Sequence, residues 1–407
     1  MKLTTVRAHN DSGGLRAVSD VDGDGRLGRR IGDDSSVRFV LSSHDGFGLG
    51  HLRRNSLIAA ALLEACPQAA ITIVTGVPVR PGWLGDPRLR VVKFPALLKD
   101  TEGAYRNEAM SFDSAIALRM RLFRELIDEE RPDVVLIDRH PYGTAGELRP
   151  GVEAARRQGA EIVIGLRDVL DERERVRAEL AGAGWTDVVT NFSRLLVYGD
   201  RALCDHVEEY DVPLEPYYCG WVCEGPTTYG VVEPRRLVVA AGGGGDGGAV
   251  FRMGAELIRR RSDWKGTLVA GPYATEVRRI VACSGADSRL TIVRDAVGCL
   301  PLFATAGAVL QMAGYNSTVE SLAVGARPIL VPRRSPRREQ AIRACRLASL
   351  GLVDVVDEGA DAAEIGWLLD RPRQNPSWAL ERAGFGLDGA AKAAAELLAL
   401  AGVRSAA

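Results

Sequence analysis

From Val37 onwards the chain alternates between short apolar runs, rich in β-branched residues, and longer stretches in which apolar positions recur with helical spacing. Helical stretches are predicted at residues 52–66 and 111–130. Six runs of the first half have the length and composition of strands: VRFVLSS, AITIVTG, RVVKF, DVVLID, AEIVIGL and RLLVYG. This alternation is typical of βα units on a parallel sheet and predicts an α/β fold.

A second series follows, with strand candidates RLVVAA, GTLVAG, LTIVRD, AVLQM, RPILVP and VDVVDE. Between the two series, residues 211–236 are rich in Pro, Gly and aromatic residues and lack periodicity, which is typical of a connection between domains. We therefore predict two Rossmann-like parallel-sheet domains, at residues 37–213 and 236–378, joined by a linker at residues 214–235.

Length and composition agree with two domains. The 407 residues exceed the roughly 250–300 at which a single hydrophobic core usually stops growing. Residues 1–36 are polar and rich in Gly, Asp and Arg, and we predict that they form a disordered or flexible leader. Residues 379–407 are rich in Ala and Leu and are predicted to form a final helix.

Charge and hydropathy argue against several classes of partner. The formal net charge is −1, with 52 basic and 53 acidic residues, so no overall field favours nucleic acid. No apolar run reaches the ~20 residues of a membrane-spanning helix, and the first residues lack the apolar centre of a signal peptide, which predicts a cytoplasmic protein. The odd number of scattered cysteines, seven, favours reduced thiols.

The loop after the first predicted strand, SSHDGFGLGHLRRN, is rich in glycine and opens a helix. Ligands bind at this edge of the sheet in open α/β folds. Gly48 and Gly50 resemble the start of a dinucleotide fingerprint, but Arg53 stands at the third glycine position, which weakens an NAD interpretation. His51 is a candidate for proton transfer near neutral pH, although a structural role is the alternative.

A second glycine loop, AAGGGGDGGAV, opens the second half. Gly243, Gly245 and Gly248 satisfy the pattern G-x-G-x-x-G, and Gly244 lies within it. The ribose-binding acid that a dinucleotide site needs about 20 residues further on is missing, because that stretch reads TLVAGPY. We therefore predict a phosphate or nucleotide loop in preference to an NAD site.

The stretch AGYNSTVESLAVG, residues 313–325, follows an apolar strand and carries two competing interpretations. Ser317 and Glu320 have the spacing of a capping box, in which each side chain bonds the backbone N–H of the other. Alternatively, Gly314 and the small polar residues after it present free N–H groups and the positive end of a helix to an anion such as a phosphate.

An arginine-rich segment follows the strand that ends at Pro332. Its four arginines, before Glu339 and Gln340, form either a solvated face or a binding surface: Arg333, Arg334, Arg337 and Arg338. In the first half, polar clusters at strand ends either bind an acceptor or form local salt bridges; they are Arg167 with Asp168, and Asp138 with Arg139 and His140.

The order of these motifs, G-x-G-H, a glycine loop, then G-Y-N-S-T-V-E-S-L-A-V-G-x-R-P-I-L-V-P and E-Q, resembles the GT-B glycosyltransferases. The likeness runs from about Val37 to the chain end and is greatest to the peptidoglycan N-acetylglucosaminyltransferase (MurG-like) group of glycosyltransferase family 28. It implies GT-B architecture, in which two Rossmann-like domains face a cleft, a UDP-sugar binds to the second and an acceptor to the first. It also implies that the last helix crosses back to the first domain.

The resemblance implies a role for each matching residue. Glu320 would hold the ribose hydroxyls, and His51 would act as the base or bind the diphosphate. The N–H groups that would contact the diphosphate belong to Asn316, Ser317 and Thr318, and the donor-sugar contacts are Glu339 and Gln340. Glycines that would approach the donor are Gly48, Gly50, Gly243, Gly244, Gly245 and Gly314. Arginines of the basic segment, Arg337 among them, would neutralise the leaving group without a metal.

The resemblance implies an inverting, metal-independent glycosyltransferase, a hexosyltransferase that moves a sugar such as N-acetylglucosamine from a UDP-sugar to a hydroxyl acceptor. No cofactor is expected beyond the UDP-sugar co-substrate, and the acceptor is a small molecule or lipid-linked. A lipid-linked acceptor would bring the protein to the inner membrane face as a peripheral protein. Two alternatives stay open: a UDP-sugar hydrolase or epimerase, and a non-catalytic nucleotide-sugar-binding subunit.

Overall fold

The computed structural model contains two parallel β-sheets, each covered by helices. It describes residues 5–7, 17–18, 36–44, 49–77, 86, 88–99, 105–224, 230–242, 247–271, 274, 276–283, 288–294, 298–372, 380, 382 and 384–403. The predictions for Gly48, Gly243, Gly244 and Gly245, and for most of the leader, lie outside these residues.

The first sheet, with the helices around it, forms what we call the N-terminal lobe. Its strands are ordered β11-β10-β9-β8-β3-β4-β5-β1-β2, and all neighbours from β11 to β5 are parallel. Strands β6 and β7 form a separate hairpin. The strands are β1 Thr5–Arg7, β2 Ala17–Val18, β3 Val37–Ser42, β4 Ala69–Thr75, β5 Leu89–Lys93, β6 Leu98–Lys99, β7 Tyr105–Arg106, β8 Val134–Asp138, β9 Glu161–Arg167, β10 Arg194–Tyr198 and β11 Pro216–Tyr218.

The helices of this lobe lie between its strands, as the sequence predicts. The longest begins where Ser111, its N-cap, accepts a hydrogen bond from the Ser114 N–H at 3.2 Å. The helices are α1 Gly50–Ala65, α2 Phe112–Glu130, α3 Arg149–Arg157, α4 Arg173–Leu180, α5 Val188–Asn191 and α6 His206–Tyr210, with a 3-10 helix at Ala183–Trp185. Within the predicted leader, the short strand β1 pairs antiparallel with β5 and β2 pairs antiparallel with β1, an extension of the sheet that the sequence does not predict.

The second sheet and its helices form the C-terminal lobe. Its strands are all parallel and are ordered β14-β13-β12-β15-β16-β17, so the chain order reverses between β12 and β15. The strands are β12 Glu233–Ala240, β13 Lys265–Ala270, β14 Leu290–Arg294, β15 Ala306–Gln311, β16 Ile329–Leu330 and β17 Asp354–Val355. The helices are α7 Gly248–Arg260, α8 Val277–Cys283, α9 Leu300–Thr305, α10 Tyr315–Ala323, α11 Glu339–Ser349 and α12 Ala362–Ile365, followed by a 3-10 helix at Gly366–Asp370.

The two lobes share buried apolar contacts. The largest hydrophobic cluster contains the inward residues of the first sheet and also Tyr315, Val319, Ala344 and Leu347, which lie on α10 and α11. The last helix, α13 Gly389–Leu400, packs against α1, and its Glu396 pairs with Arg194 of the N-terminal lobe at 2.6 Å. Helices α10 and α11 are therefore fixed against the first lobe, and this arrangement positions the site described next.

Candidate active site

Two sheet edges meet where the lobes face each other. In the N-terminal lobe the chain order reverses between β3 and β8, and in the C-terminal lobe it reverses between β12 and β15. The crevice beyond the carboxyl ends of two such strands is where open α/β sheets bind ligands. His51 lies on α1, which follows β3, and Asp138 is the last residue of β8. Helix α10 follows β15.

His51 and Asp138 form a hydrogen-bonded pair at the first of these points. The Nδ1 atom of His51 lies 2.8 Å from Oδ2 of Asp138, and Arg54 donates from Nη2 to the same carboxylate oxygen. Because an ionised carboxylate only accepts hydrogen bonds, the proton between His51 and Asp138 belongs to Nδ1. Arg54 Nη2 also lies 3.0 Å from Nδ1, but with Nδ1 as an acceptor the 2.8 Å contact would join two acceptors.

This tautomer leaves Nε2 as the basic nitrogen of His51. Burial lowers the pKa of His51 from 6.5, and although Asp138 acts in the opposite direction, the cations Arg54 and Arg167 add to the lowering. Burial alone would raise the pKa of the Asp138 carboxyl, but Arg54 and His51 outweigh it and hold that pKa well below its usual range. A neutral imidazole oriented by an ionised carboxylate is the arrangement of a general base.

The sequence identifies Asp138 only as a polar residue at a strand end. Its pairing with His51 depends on β8 lying beside β3, and the two residues are 87 positions apart. The signal that could have found it is an acid that ends a buried strand, combined with a strand order in which that strand neighbours the first one.

The N-terminus of α10 lies directly across from α1. Gly314 is the N-cap, in extended conformation, and Asn316 donates from Nδ2 to the Gly50 carbonyl at 3.2 Å. Gly50, His51 and residues 314–317 are thus brought together at this point. The first-turn N–H groups of a helix have no acceptor within the helix, and they belong here to Tyr315, Asn316 and Ser317.

Thr318 and Glu320 lie deeper in α10 than the sequence suggests. The helix begins at Tyr315, so Glu320 is its sixth residue and lies beyond the first turn. The Thr318 N–H bonds the Gly314 carbonyl at 3.0 Å, and its side chain is completely buried. Ser317 donates from Oγ to the Gly314 carbonyl at 3.4 Å, while Glu320 accepts from a different segment, so the capping box is not the arrangement adopted.

The Glu320 carboxylate is buried at the junction of the lobes. Its Oε2 accepts a hydrogen bond from the Cys299 N–H at 2.8 Å, and its Oε1 lies 3.8 Å from Nη2 of Arg53 on α1. Burial raises the pKa of Glu320, against the opposing effects of the Cys299 N–H and Arg53. Arg53 also pairs with Glu224 at 2.7 Å. Gly298, which has a φ of +78°, lies directly beside the side chains of Arg53 and Glu320. Glu320 therefore faces the other lobe but already has partners there.

The arginine-rich segment is engaged with acids of the N-terminal lobe. Arg337 lies 3.4 Å from Asp171 and 3.8 Å from Glu179, and the Arg338 N–H donates to Asp171 at 2.9 Å. Two further ion pairs join the lobes, Arg338 with Glu172 and Arg346 with Glu209. Arg337 and Arg338 therefore have acidic partners in the other lobe, and the Arg338 side chain is also about half exposed.

Glu339 and Gln340 are buried at the start of α11. Glu339 pairs with Arg333 at 2.7 Å, and the Gln340 side-chain oxygen accepts from the Arg333 N–H at 3.2 Å. Arg167, at the end of β9, lies close enough to Glu339 for this carboxylate to raise the pKa of Arg167. Burial, together with Arg343, Arg54 and Arg139, lowers the pKa of Arg167 to about 10. Several arginines therefore lie near His51, and Arg54, Arg139 and Arg343 among them are paired with the acids Asp138, Glu179 and Asp168.

Three further rings stand beside the base: His44, which the sequence offers as a weaker candidate of the same kind as His51, His140, which belongs to a predicted polar cluster, and Tyr105, for which the sequence predicts no role. The rings of His44 and His51 meet edge to face with centroids 5.6 Å apart, and the His44 and His140 centroids are 4.4 Å apart. Tyr105 bonds His44 at 3.0 Å through its hydroxyl. These side chains follow β3 and β8 or lie on β7, so they line the N-terminal side of the cleft.

No protein-family model and no curated protein matches the sequence. Solved structures do match over 90% of this chain. The calicheamicin glycosyltransferase CalG4 aligns with a TM-score of 0.58 and 16% identity over 99% of its own chain. MurG of Acinetobacter baumannii aligns with a TM-score of 0.52 and 13% identity over 98% of its chain. A Listeria monocytogenes protein described as a UDP-N-acetylglucosamine 2-epimerase aligns with a TM-score of 0.57 and 13% identity over 96% of its chain.

The chain has the GT-B fold. The predicted architecture is thereby confirmed: two Rossmann-like sheets present their switch points to one another. In this GT-B chain the His51–Asp138 pair stands at the first switch point and the N-terminus of α10 at the second.

Three other features of the GT-B chain bear on earlier predictions. Its seven cysteines are free thiols, and Cys219 and Cys223 are buried. Over the ranges given above, no three His, Cys, Asp or Glu side chains are grouped as metal ligands. Within those same ranges, the helices are too short or too polar to span a bilayer. Reaction without a metal remains a prediction.

Proposed function

We propose that this protein is a glycosyltransferase that moves a sugar from a UDP-sugar to a hydroxyl acceptor. The observation that carries the proposal is the position of the His51–Asp138 pair on one lobe, directly opposite the N-terminus of α10 on the other, with Asn316 and Gly50 in contact between them. The GT-B fold, shared with glycosyltransferases, supports it.

The donor diphosphate would bind at the N-terminus of α10. A helix N-terminus carries about half a unit of positive charge and free N–H groups, here those of Tyr315, Asn316 and Ser317. The Gly314 N-cap has no side chain to obstruct an approaching phosphate. The neighbouring epimerase-like structure, whose description includes a UDP-sugar, supports UDP as the nucleotide.

In the proposed reaction, Nε2 of His51 takes the proton of the acceptor hydroxyl. The acceptor oxygen forms a bond to the anomeric carbon, the bond from that carbon to the phosphate oxygen breaks, and UDP leaves with the electron pair. Asp138 stabilises the imidazolium that forms. A single displacement of this kind inverts the anomeric configuration, which NMR of the product would test.

Charge on the leaving diphosphate would be met by fixed groups of the protein. Preorganised donors in a site without water can each contribute ~3–4 kcal/mol at the transition state. The candidates are the first-turn N–H groups of α10 and the cationic side chain of Arg167. Arg337 already pairs with Asp171 and Glu179, so a donor contact from it would require those pairs to separate.

The roles of Glu320, Glu339 and Gln340 in donor binding remain part of this proposal. Each is buried and already bonded, Glu320 to the Cys299 N–H, Glu339 to Arg333, and Gln340 to the Arg333 N–H. Donor binding would therefore have to exchange one of these contacts for a ligand hydroxyl. For Glu320, exchange of its Arg53 contact is the simplest route, because only a 3.8 Å ion pair is lost and the hydrogen bond from the Cys299 N–H is kept.

The test is a panel of nucleotides and nucleotide sugars, screened by thermal shift and calorimetry, followed by turnover with hydroxyl acceptors. We expect UDP to bind, EDTA to leave turnover intact, and His51→Asn to reduce turnover by about 10²–10⁴-fold while UDP affinity stays unchanged. Ser56→Ala, on the same helix, is the control, because its hydroxyl bonds only the Leu52 carbonyl. A protein that binds no nucleotide would contradict the proposal.

The second candidate is hydrolysis or epimerisation of a UDP-sugar, which the epimerase-like neighbour favours. Release of free sugar or of an isomeric UDP-sugar in the absence of acceptor would support it. Transfer that depends strictly on acceptor would exclude it. Nucleotide binding without turnover of any donor would indicate the non-catalytic subunit.

A further inference from the structure

Arg54 is a completely buried arginine three residues after the candidate base. Its side chain is 1% exposed, and Arg is almost never fully buried unless it is paired. Its pairing is unusual, because the guanidinium donates to Asp138 at the sheet edge of the N-terminal lobe and also lies against two tyrosine rings.

The two rings belong to different lobes. The Arg54 Cζ atom is 4.9 Å from the ring centroid of Tyr198, at the end of β10, and 5.3 Å from that of Tyr315, the first residue of α10. Tyr315 is itself held by the Val222 N–H, which donates to its hydroxyl oxygen at 2.9 Å. Cation–π contacts of this kind are strongest where the cation is removed from water.

We propose that Arg54 is a positioning residue for His51 and that Tyr315, from the opposite lobe, holds Arg54 in place. Arg54 fixes the Asp138 carboxylate, and Asp138 fixes the Nδ1–H tautomer of His51. Tyr315 is the first residue of α10, the helix whose N-terminus would bind the diphosphate. The orientation of His51 therefore depends on α10 being packed against the N-terminal lobe. This inference rests on the proposed function for its catalytic meaning, but the arrangement itself can be tested without turnover.

After burial, the charge on Arg54 is one of the effects that lower the pKa of His51. The charged and titratable groups that face His51 are Asp138 on β8, Arg54 on its own helix, Arg167 on β9 and the His44 ring after β3. Asp138 favours the imidazolium, whereas Arg54 and Arg167 oppose it. Without Arg54, a protonated His51 would be the nearest positive charge to the buried Asp138 carboxylate, so the pKa of His51 would rise.

The experiment is NMR titration of the full-length protein labelled at histidine. The chain has five histidines, and His51→Asn assigns the signal of interest. In Arg54→Met we expect the His51 midpoint to move upward by about 1–3 pH units, which is the usual effect of an uncompensated neighbouring carboxylate. The ¹⁵N shifts at high pH should change from the pure Nδ1–H tautomer to a mixture. Arg54→Lys should restore most of the wild-type midpoint.

Tyr315→Leu tests the link between the lobes while leaving Arg54 in place. We expect a smaller upward shift of the same midpoint. Tyr315→Phe keeps the ring against Arg54 but loses the hydroxyl that the Val222 N–H bonds, so its His51 midpoint should stay close to that of the wild type while its stability falls. Unchanged His51 titration in Arg54→Met would overturn the proposal. A shift in Arg54→Met with none in Tyr315→Leu would overturn the link to α10. Circular dichroism identifies any variant that fails to fold, and the remaining variants then decide.

These readouts are independent of the proposed function. If UDP does not bind and no sugar is transferred, the proposed function fails, yet the Arg54 effect on His51 can still be observed. If UDP binds, Arg54→Met should lower kcat at neutral pH and recover towards the wild-type value at higher pH. A merely structural role for Arg54 would lower activity equally at every pH.

Discussion

Arg343 and Asp168 form a buried bidentate ion pair that joins the two lobes. Arg343 lies on α11 and Asp168 follows β9, and the Nη2–Oδ1 and Nε–Oδ2 distances are 2.7 and 2.9 Å. Both side chains are almost completely buried. Arg343 also donates from Nη1 to the Ala313 carbonyl at 2.9 Å, immediately before the N-cap of α10.

Removal of one partner should destabilise the protein strongly. Asp168→Asn leaves the Arg343 guanidinium buried without its counter-ion, and breaking such a pair usually costs about 3–5 kcal/mol. The double variant Asp168→Leu with Arg343→Met should recover much of that loss, because an apolar pair of similar volume needs no desolvation of charge. Urea denaturation of the three proteins measures both effects.

Arg338→Met is the matched control for this prediction. It removes the arginine immediately before the first residue of α11, and both Arg338 and its partner Glu172 are about half exposed. Exposed pairs contribute little, so we expect a change within about 0.5 kcal/mol. Equal losses in Arg338→Met and Asp168→Asn would show that burial is not what distinguishes the two pairs.

Much of the architecture could be predicted from the sequence, whereas the pairings across it could not. The strands are continuous apolar runs between turn residues, and Ser111 marks a helix start by its capping chemistry. The pairing of His51 with Asp138 requires strand order, and that of Arg338 with Glu172 spans 166 positions between lobes. Periodicity carries neither kind of information.

The stretch around Glu320 shows how a local pattern can mislead. The spacing of Ser317 and Glu320 matches a capping box, but Gly314 in extended conformation begins the helix three residues earlier. Glu320 then lies on the second turn, where a contact with the Cys299 N–H is within reach. The choice between the two start points depends on packing of α10 against α9 and α1, which a local motif does not encode.

Glu320→Gln should separate the structural role of Glu320 from its proposed role in donor binding. The amide oxygen can still accept from the Cys299 N–H, and the cost of burying a charge, which raises the pKa of Glu320, disappears. We therefore expect stability at pH 7 to be unchanged or slightly higher. UDP affinity should fall about 10-fold if the carboxylate holds the ribose hydroxyls, as loss of a charged hydrogen bond of ~1.5 kcal/mol would give.

Calorimetric titration with UDP and urea denaturation together decide the outcome. Unchanged UDP affinity in Glu320→Gln, with stability maintained, would remove Glu320 from the donor site. Arg53→Met is the companion variant, because it removes the ion-pair partner on α1 and leaves the Cys299 contact intact.

Gly165→Ala should displace the Tyr198 side chain and, through it, the Arg54 guanidinium. A Cβ at Gly165 would clash with the Tyr198 hydroxyl oxygen, and the Tyr198 ring lies against the Arg54 guanidinium. Overpacking of this kind usually costs about 1–3 kcal/mol. We expect that loss in urea denaturation, together with an upward shift of the His51 midpoint. Gly184→Ala, where no atom lies within 4 Å of the new Cβ, should leave both unchanged.

The lowered pKa of His51 makes both stability and activity depend on pH in a defined window. An unfolded histidine titrates near 6.5, whereas burial keeps His51 neutral to lower pH in the folded protein. Below pH 6.5 the unfolded state therefore binds more protons, and the contribution of His51 to stability is lost as the pH falls towards its folded pKa. Each unit of difference is worth about 1.4 kcal/mol. The pKa of the Asp138 carboxyl is lowered in the folded protein, so its contribution to the free energy of unfolding is lost only below about pH 4.

Denaturation at pH 7.5 and 5.5 should show a smaller difference for His51→Asn than for the wild type, because the variant lacks the imidazole at position 51. The buried His206, whose pKa burial also lowers, contributes equally in both proteins. The acid limb of kcat/KM should lie below pH 6.5, because burial lowers the pKa of His51. Asp138→Asn removes the carboxylate that favours the imidazolium, so its limb should move to still lower pH, opposite in sign to the shift expected for Arg54→Met. A limb at or above pH 6.5 in the wild type would mean that His51 is not the group whose protonation stops the reaction.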